Sequence, residues 1–492
     1  MTGQLGRLAK SALIYGTGEV LTKILGFLML PLFTAYLTPD DYGINAILAS
    51  VTYVLGSIFS LGFGSIIGIL YFENDSPNQR PTTLWTSVLL LSVSALLMTL
   101  VTIIYASELS TLIFRTPIYA NLLIITSAAT AFNIISTPFS FHYQFEQKAT
   151  AYTAISLVSA FLYISLTVVM VSVLRMGIFG WVAATLLGQG ISLILYAVPV
   201  MSQVPFRLRA QIAKSLLRLG LPLVPSFVFL FILLQSNRFF LERISGLDTV
   251  GIYAIGSSLG MTINMVIQGF TRAWFPYFLS FTDKQNEAKR LFSRITTYFV
   301  VFGGILTLCF FLFARPVVLI MTAPAFHEAY SVIGWVALAQ FFTGLFNLLI
   351  PSMYFAQQVR VQTPIQAAAS IVLVLACLVL IPLLGAMGAA LALVAGTLTM
   401  CILTYLWNQA HPTYFQVKYE VDRIIKFSIG FLVLACFTLI PREFTIAADI
   451  VFGLIGLFAI SAISYLLIDV DEKIQLANLL RRYILNRLAP PI

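Results

Sequence analysis

The chain has 492 residues, of which 59% are hydrophobic and only 10% charged. Soluble domains run at roughly 45–50% apolar and about 25% charged, so a soluble fold is excluded and hydrocarbon is the solvent for most of this chain. The formal charge of +9, from 28 Lys and Arg against 19 Asp and Glu, collects in short loops. It therefore reads as topology and attraction to anionic headgroups, with no nucleic acid as partner.

A spanning helix takes about 20 residues. Apolar runs between charged or Pro/Gly breaks predict fourteen of them, near 12–37, 44–70, 82–106, 119–141, 152–174, 178–200, 215–241, 250–278, 294–321, 330–355, 364–383, 386–408, 424–440 and 446–468. The expected fold class is an all-α polytopic membrane protein. An outer-membrane barrel is excluded, because its strands alternate every second residue. The first run carries no small-residue cleavage site and reads as a span.

Twenty of the Lys and Arg residues fall in loops or at span ends on one side and five on the other, which leaves Lys23, Arg238 and Arg272 deeper inside spans. The bias places both termini in the cytoplasm. All loops are short and no GxxxxGK[ST] pattern occurs, so neither a catalytic domain nor ATP hydrolysis is expected. Cys309, Cys377, Cys401 and Cys436 lie in apolar runs as small hydrophobes, and His142, His327 and His411 stand far apart. No metal site and no enzymatic activity are expected.

An internal repeat is visible. Asp40-Asp41-Tyr42-Gly43-Ile44-Asn45-Ala46-Ile47 echoes Asp248-Thr249-Val250-Gly251-Ile252-Tyr253-Ala254-Ile255, an offset of 208 residues. Gly177, Gly180 and Gly188 recur at the same offset as Gly385, Gly388 and Gly396. The expected organisation is a six-helix lobe at 1–205, a second at 206–410, and two extra spans with a basic cytoplasmic tail at 411–492. Parallel repeats of this kind enclose a central cleft, a transporter architecture.

Four segments carry a family resemblance: Leu8-Ala9-Lys10-Ser11, the run Leu37-Thr38-Pro39-Asp40-Asp41-Tyr42-Gly43, Asn237-Arg238-Phe239-Phe240-Leu241, and Val250-Gly251-Ile252-Tyr253-Ala254. In these the chain resembles the Wzx-type polysaccharide and O-antigen flippases, within the superfamily of multidrug, oligosaccharidyl-lipid and polysaccharide exporters. The resemblance implies a bacterial inner-membrane protein that moves an undecaprenyl-pyrophosphate-linked oligosaccharide outward for O-antigen, exopolysaccharide or a related glycan. It also implies a polysaccharide polymerase and a chain-length regulator as partners, beside the membrane lipids. Where such proteins often carry an acidic residue before the basic one ending the seventh span, this chain has Asn237.

Ionisable groups at membrane depth cost about 2.5–3.5 kcal/mol each on insertion scales and mark a pathway or a partner. Glu19 and Lys23 stand at i,i+4 in the first span, where Lys23 suits a phosphate and Glu19 suits proton or sodium coupling. Arg238 lies near the outer end of the seventh span with Glu242 at i+4. In the eighth span Asn264, Gln268 and Arg272 form one stripe. Arg suits phosphate through its planar fork of donors. Further polar stripes run through Thr126, Thr130, Asn133 and Thr137, and through Gln340, Thr343, Asn347 and Pro351; of these, Asn133, Thr137, Gln340 and Asn347 are expected to line the cleft. Tyr53, Trp274 and Tyr277 are aromatic surfaces of the type that stacks on sugars, although interfacial belts account for most aromatic residues in such chains.

The rival readings are a cation-coupled multidrug exporter of the same superfamily and a membrane-embedded glycan polymerase. Three bases against one Glu inside the spans disfavour the first, and short outer loops disfavour the second.

Overall fold

The computed structural model describes residues 14, 16–18, 20–73, 79–281, 285–410, 416–438 and 445–467. Among the described residues the chain is helical, without a strand. Eleven helices are long and apolar enough to cross a membrane. One of them, Gln362–Ala410, is two helices joined where Gly385 takes φ +53° and ψ −126°. With Val224–Ser245 and Val421–Phe437, each of the fourteen spans read from hydropathy has its helix. The chain is a multi-pass all-α membrane protein.

Its surface is inverted relative to a soluble domain. Leu383, Leu466 and Phe458 are more than 70% exposed, while Ser87, Ser127, Thr130 and Ala184 are buried. In hydrocarbon, large apolar side chains gain nothing by turning inward, and helices associate through small residues that let backbones approach. The buried hydroxyls are satisfied locally: Ser87 Oγ donates to Thr83 O at 2.7 Å and Thr130 Oγ1 to Thr126 O at 2.8 Å.

The chain divides into two compact units. The first comprises Met1–Ile255, Ile320–Glu328 and Leu373–Ala392, and the second Gly256–Leu319, Ala329–Val372 and Leu393–Ile492. In the first, the helices are α1 (Gly16–Tyr36), α2 (Pro39–Phe59), α3 (Phe63–Phe72), α4 (Gln79–Ile104), α5 (Ala120–Phe145), α6 (Ala149–Val168), α7 (Gly177–Gln203) and α8 (Val224–Ser245), followed by the start of α9 (Leu247–Gly260). Helices α4, α5 and α7 pack side by side around Leu84, Trp85, Phe139, Tyr143 and Tyr196.

Helix α2 opens on a capping box. The Thr38 side chain accepts from Asp41 N, the Asp41 carboxylate accepts from Thr38 N, and Pro39 takes the first helical position. There α2 crosses α9 backbone to backbone. A Cβ on Gly43 would lie 2.0 Å from Leu247 O, and one on Gly251 would lie 1.9 Å from Pro39 O. The contact is reciprocal, since residues 39 and 43 meet 247 and 251, their counterparts at the offset of 208. A second pair at that offset, Gly177 and Gly385, takes φ +57° and +53°, a backbone conformation open to glycine.

In the second unit the helices include α10 (Asn264–Leu279), α11 (Gln285–Leu312), α12 (Tyr330–Leu349), α13 (Val421–Phe437) and α14 (Ile446–Leu467). Helix α11 packs against α12, α13 and α14. The Phe427 ring of α13 lies over Gly304, Phe431 meets Phe311 edge-on, and Arg315 forms an ion pair with Asp449 of α14. These contacts attach the two last spans to the unit.

Gly43→Ala and Gly251→Ala are each expected to lower the thermal midpoint of the purified protein by several degrees, at about 1–3 kcal/mol for overpacking. The double variant should cost less than the sum, because both methyls force the same separation. Gly26→Ala, which meets open space, should leave or raise the midpoint. Intrinsic-fluorescence melts in detergent check this, and wild-type midpoints for both crossing variants would show the close approach to be dispensable.

Candidate functional site

In the first unit α2, α8 and α9 share a polar network. Arg238 of α8 donates from Nη1 to Ala46 O at 3.3 Å and to Ser50 Oγ at 3.4 Å. The buried Ser50 hydroxyl lies 3.0 Å from Ala46 O and 3.2 Å from Gln235 Oε1. One residue before the arginine, Asn237 donates from Nδ2 to the Tyr253 hydroxyl at 2.5 Å, both side chains being buried. Asn237 Oδ1 is buried without a hydrogen-bond partner.

A guanidinium carries five N–H donors. Arg238 uses one nitrogen, on neutral acceptors, and no carboxylate among the described residues pairs with it. The i,i+4 relation of Arg238 to Glu242 does not form an ion pair. Glu242 Oε2 instead lies 3.6 Å from Arg243 Nε. The packing of α8 on α2 brings the Ala46 carbonyl within reach of the Arg238 fork, whereas Glu242 sits one turn onward beside Arg243.

Lys23 is exposed on α1, and Glu19 lies outside the described residues. Asn133 is exposed on α5 and donates from Nδ2 to Gln189 Oε1 of α7 at 3.3 Å, while Thr137 Oγ1 donates back to Asn133 O at 3.0 Å. The structure therefore joins Asn133 and Thr137 to Gln189, and Arg238 to Ser50 and Gln235.

In the second unit Gln268 and Arg272 are exposed along α10, and Asn264 is half-buried with a sequestered, unpartnered Oδ1. Helix α10 packs on α12, which carries the buried Gln340 and the half-buried Asn347. Exposed polar groups on spanning helices need water or headgroups beside them, because hydrocarbon offers no hydrogen bond.

Of the three aromatics, Trp274 is packed among Phe270, Phe278 and Phe292 and is closed as a stacking platform. Tyr53 stacks on Phe231 at 6.3 Å, and Tyr277 is exposed. Sequence reasoning passed over Ser50, Gln235 and Gln189. Gln235 stands at i−3 from Arg238, a spacing that marks a shared face; Ser50 and Gln189 have no such local sign.

The family described as polysaccharide biosynthesis protein matches residues 8–282. Among solved structures the fold is similar to the lipid II flippase MurJ in an inward closed conformation. The TM-score is 0.71 at 14% identity, covering 92% of this chain and 99% of that one. It is also similar to a multidrug resistance MATE family transporter of the MOP superfamily in an inward-facing conformation, with a TM-score of 0.66 at 15% identity over 80% of this chain and 94% of that one. No curated protein matches the chain in sequence.

Tyr253→Phe leaves the buried Asn237 amide without its partner and is expected to cost about 1–3 kcal/mol, read as a lower thermal midpoint. Asn237→Leu should cost a similar amount by stranding the hydroxyl. The double variant should recover most of the loss, because removing both partners of a buried bond is nearly neutral. Additive losses would contradict the pairing.

Proposed function

The chain belongs to the polysaccharide biosynthesis protein family, and from that premise we propose that it is a flippase carrying an undecaprenyl-pyrophosphate-linked oligosaccharide outward across the bacterial inner membrane by alternating access. The observation that carries this reading is Arg238, a cation on a spanning helix that donates, among the described residues, to a carbonyl and a hydroxyl and to no carboxylate. An unpaired charge taken out of water is costly, so a pyrophosphate crossing hydrocarbon needs cations and water along its route. Lys23, Arg238 and Arg272 supply the cations, and Asn264, Gln268, Asn133, Thr137, Gln340 and Asn347 supply polar lining. The prenyl tail stays in lipid while the headgroup crosses.

In this reading the lobes are 1–205 and 206–410, residues 411–492 add two spans and a basic tail, and both termini are cytoplasmic. Glu19 is the coupling group for a proton or sodium ion. A polymerase and a chain-length regulator take the product onward. The same fold in MATE transporters favours multidrug export as the second reading, against which stands the excess of bases over acids within the spans.

Reconstituted flipping of an undecaprenyl-pyrophosphate oligosaccharide tests the proposal. Lys23→Ala and Arg238→Gln should each slow flipping by about 10- to 100-fold, the worth of a charge-assisted hydrogen bond of about 1.5–3 kcal/mol. Lys23→Arg should retain most of the rate. Glu19→Gln should abolish stimulation by an imposed ion gradient. If the wild type moves no lipid-linked sugar yet exports cationic dyes, multidrug transport replaces this reading.

A further inference from the structure

A second polar cluster in the first unit lies at the helix ends that the charge bias assigns to the cytoplasm. It surrounds a cavity of about 300 Å³ lined by Tyr71, Arg80, His142, Glu146, Lys148 and the strap Gln203–Pro205. Gln147, at φ +55°, ends α5 in a left-handed turn closed by Lys148 N donating to Tyr143 O at 2.9 Å. That turn brings Glu146 and Lys148 to the same rim.

The hydrogens in this cluster can be assigned. The Tyr71 hydroxyl donates to Glu146 Oε1 at 2.8 Å, and its oxygen lies 3.1 Å from His142 Nδ1. A phenol has one hydrogen. With that hydrogen on Glu146, His142 must donate from Nδ1 to the Tyr71 oxygen. Nε2 is then the open nitrogen of a ring that lines the cavity, an acceptor when neutral and a donor when charged.

The bases are held ready. The Arg80 guanidinium lies 5.7 Å from the centroids of both the Tyr71 and Phe72 rings and 3.4 Å from Glu146. It spends one nitrogen on that carboxylate, which leaves donors of its fork open. Lys148 is exposed and makes no ion pair among the described residues. Around His142 the charged and titratable groups are Tyr71, Arg80, Tyr143, Glu146 and Lys148. With Glu146 occupied by Tyr71 and Arg80, the lining carries one net positive charge, or two when the imidazole is protonated.

The exposed apolar surroundings point to a lipid-borne anion. Phe72, whose ring meets Arg80, and Phe206, next to Pro205 of the strap, are each more than half exposed and apolar, as a lipid-facing surface is. Trp85, buried between the helices, donates from Nε1 to Val204 O and so holds the strap against α4. Basic pockets at this level meet lipid phosphates.

We propose that this cavity is a binding site for an anionic phosphate headgroup, held by Arg80, Lys148 and the open His142 nitrogen. A phospholipid and the pyrophosphate of a prenyl carrier present the same chemistry. Neither the cavity nor its residues belong to the network around Arg238.

Native mass spectrometry of the purified protein tests it, with phosphatidylglycerol, phosphatidylcholine, undecaprenyl pyrophosphate and inorganic pyrophosphate as probes. One phosphatidylglycerol retained in preference to phosphatidylcholine identifies a lipid site. Preference for undecaprenyl pyrophosphate identifies a carrier site, and binding of inorganic pyrophosphate alone a soluble ligand. In each case Arg80→Gln/Lys148→Gln should weaken binding at least tenfold, whereas the charge-matched Lys214→Gln/Lys426→Gln should leave it unchanged. Lowering the pH from neutral to mildly acidic should tighten binding in the wild type and not in His142→Gln, since a bound anion favours the charged ring. Equal weakening by both double variants, or no retention of any probe, overturns the proposal. Binding is read without transport, so its outcome is independent of the flipping assay.

Discussion

Hydrocarbon cannot answer a polar group, so every donor and acceptor on a spanning helix has to be satisfied by protein, by water or by a ligand. In this chain most hydroxyls meet the requirement within their own helix, as Ser87 and Thr130 do on the carbonyl one turn back. The groups that do not are the informative ones. Arg238 reaches across to the Ala46 carbonyl of α2, and Asn237 reaches across to Tyr253 of α9. Adjacent residues of α8 thus tie that helix to two others through polar bonds that have no competitor in lipid.

The two helices that α8 binds also meet each other, at the glycines. Gly43 and Gly251 remove the two Cβ atoms that would otherwise sit about 2 Å from facing carbonyl oxygens. The residues that α8 bonds stand close to that crossing: Ala46 and Ser50 lie three and seven residues beyond Gly43, and Tyr253 lies two beyond Gly251. The crossing and the network thus join the same three helices, glycines holding α2 to α9 and polar bonds holding α8 to both. Because the two glycines are counterparts at a fixed offset, one substitution disturbs a contact whose mirror image depends on the same spacing.

Much of this was legible in the sequence, and the limits have physical causes. Hydropathy located the spans because the length of a helix and the thickness of a bilayer are both fixed. The repeat landmarks were visible because a backbone crossing and a left-handed turn both demand glycine, which leaves identical letters in both copies. Arg238 stood out because a charge in an apolar run is rare. Its partner did not. Helical spacing says which residues share a face, and it nominated Glu242, but the acceptors that won are separated from Arg238 by 188 and 192 residues. The Tyr71–His142–Glu146 set stayed hidden for the same reason: its members lie 71 and 75 residues apart, at helix ends where a histidine reads as merely interfacial.

The two polar clusters answer the membrane's demand differently. At the helix ends, Glu146 holds Arg80 and Tyr71 in place and cancels one charge, so the cavity keeps a modest positive excess where water is near. Around Arg238 no carboxylate among the described residues pairs with the guanidinium, and neutral oxygens orient it without cancelling its charge. Orientation without neutralisation leaves the guanidinium its full charge, at the cost of inserting a cation held by neutral oxygens. A carboxylate at the Asn237 position would lower that cost, and it would also compete with any incoming anion for the same fork. Asparagine there bonds to Tyr253 while adding no charge, so it neither neutralises the arginine nor occupies its fork.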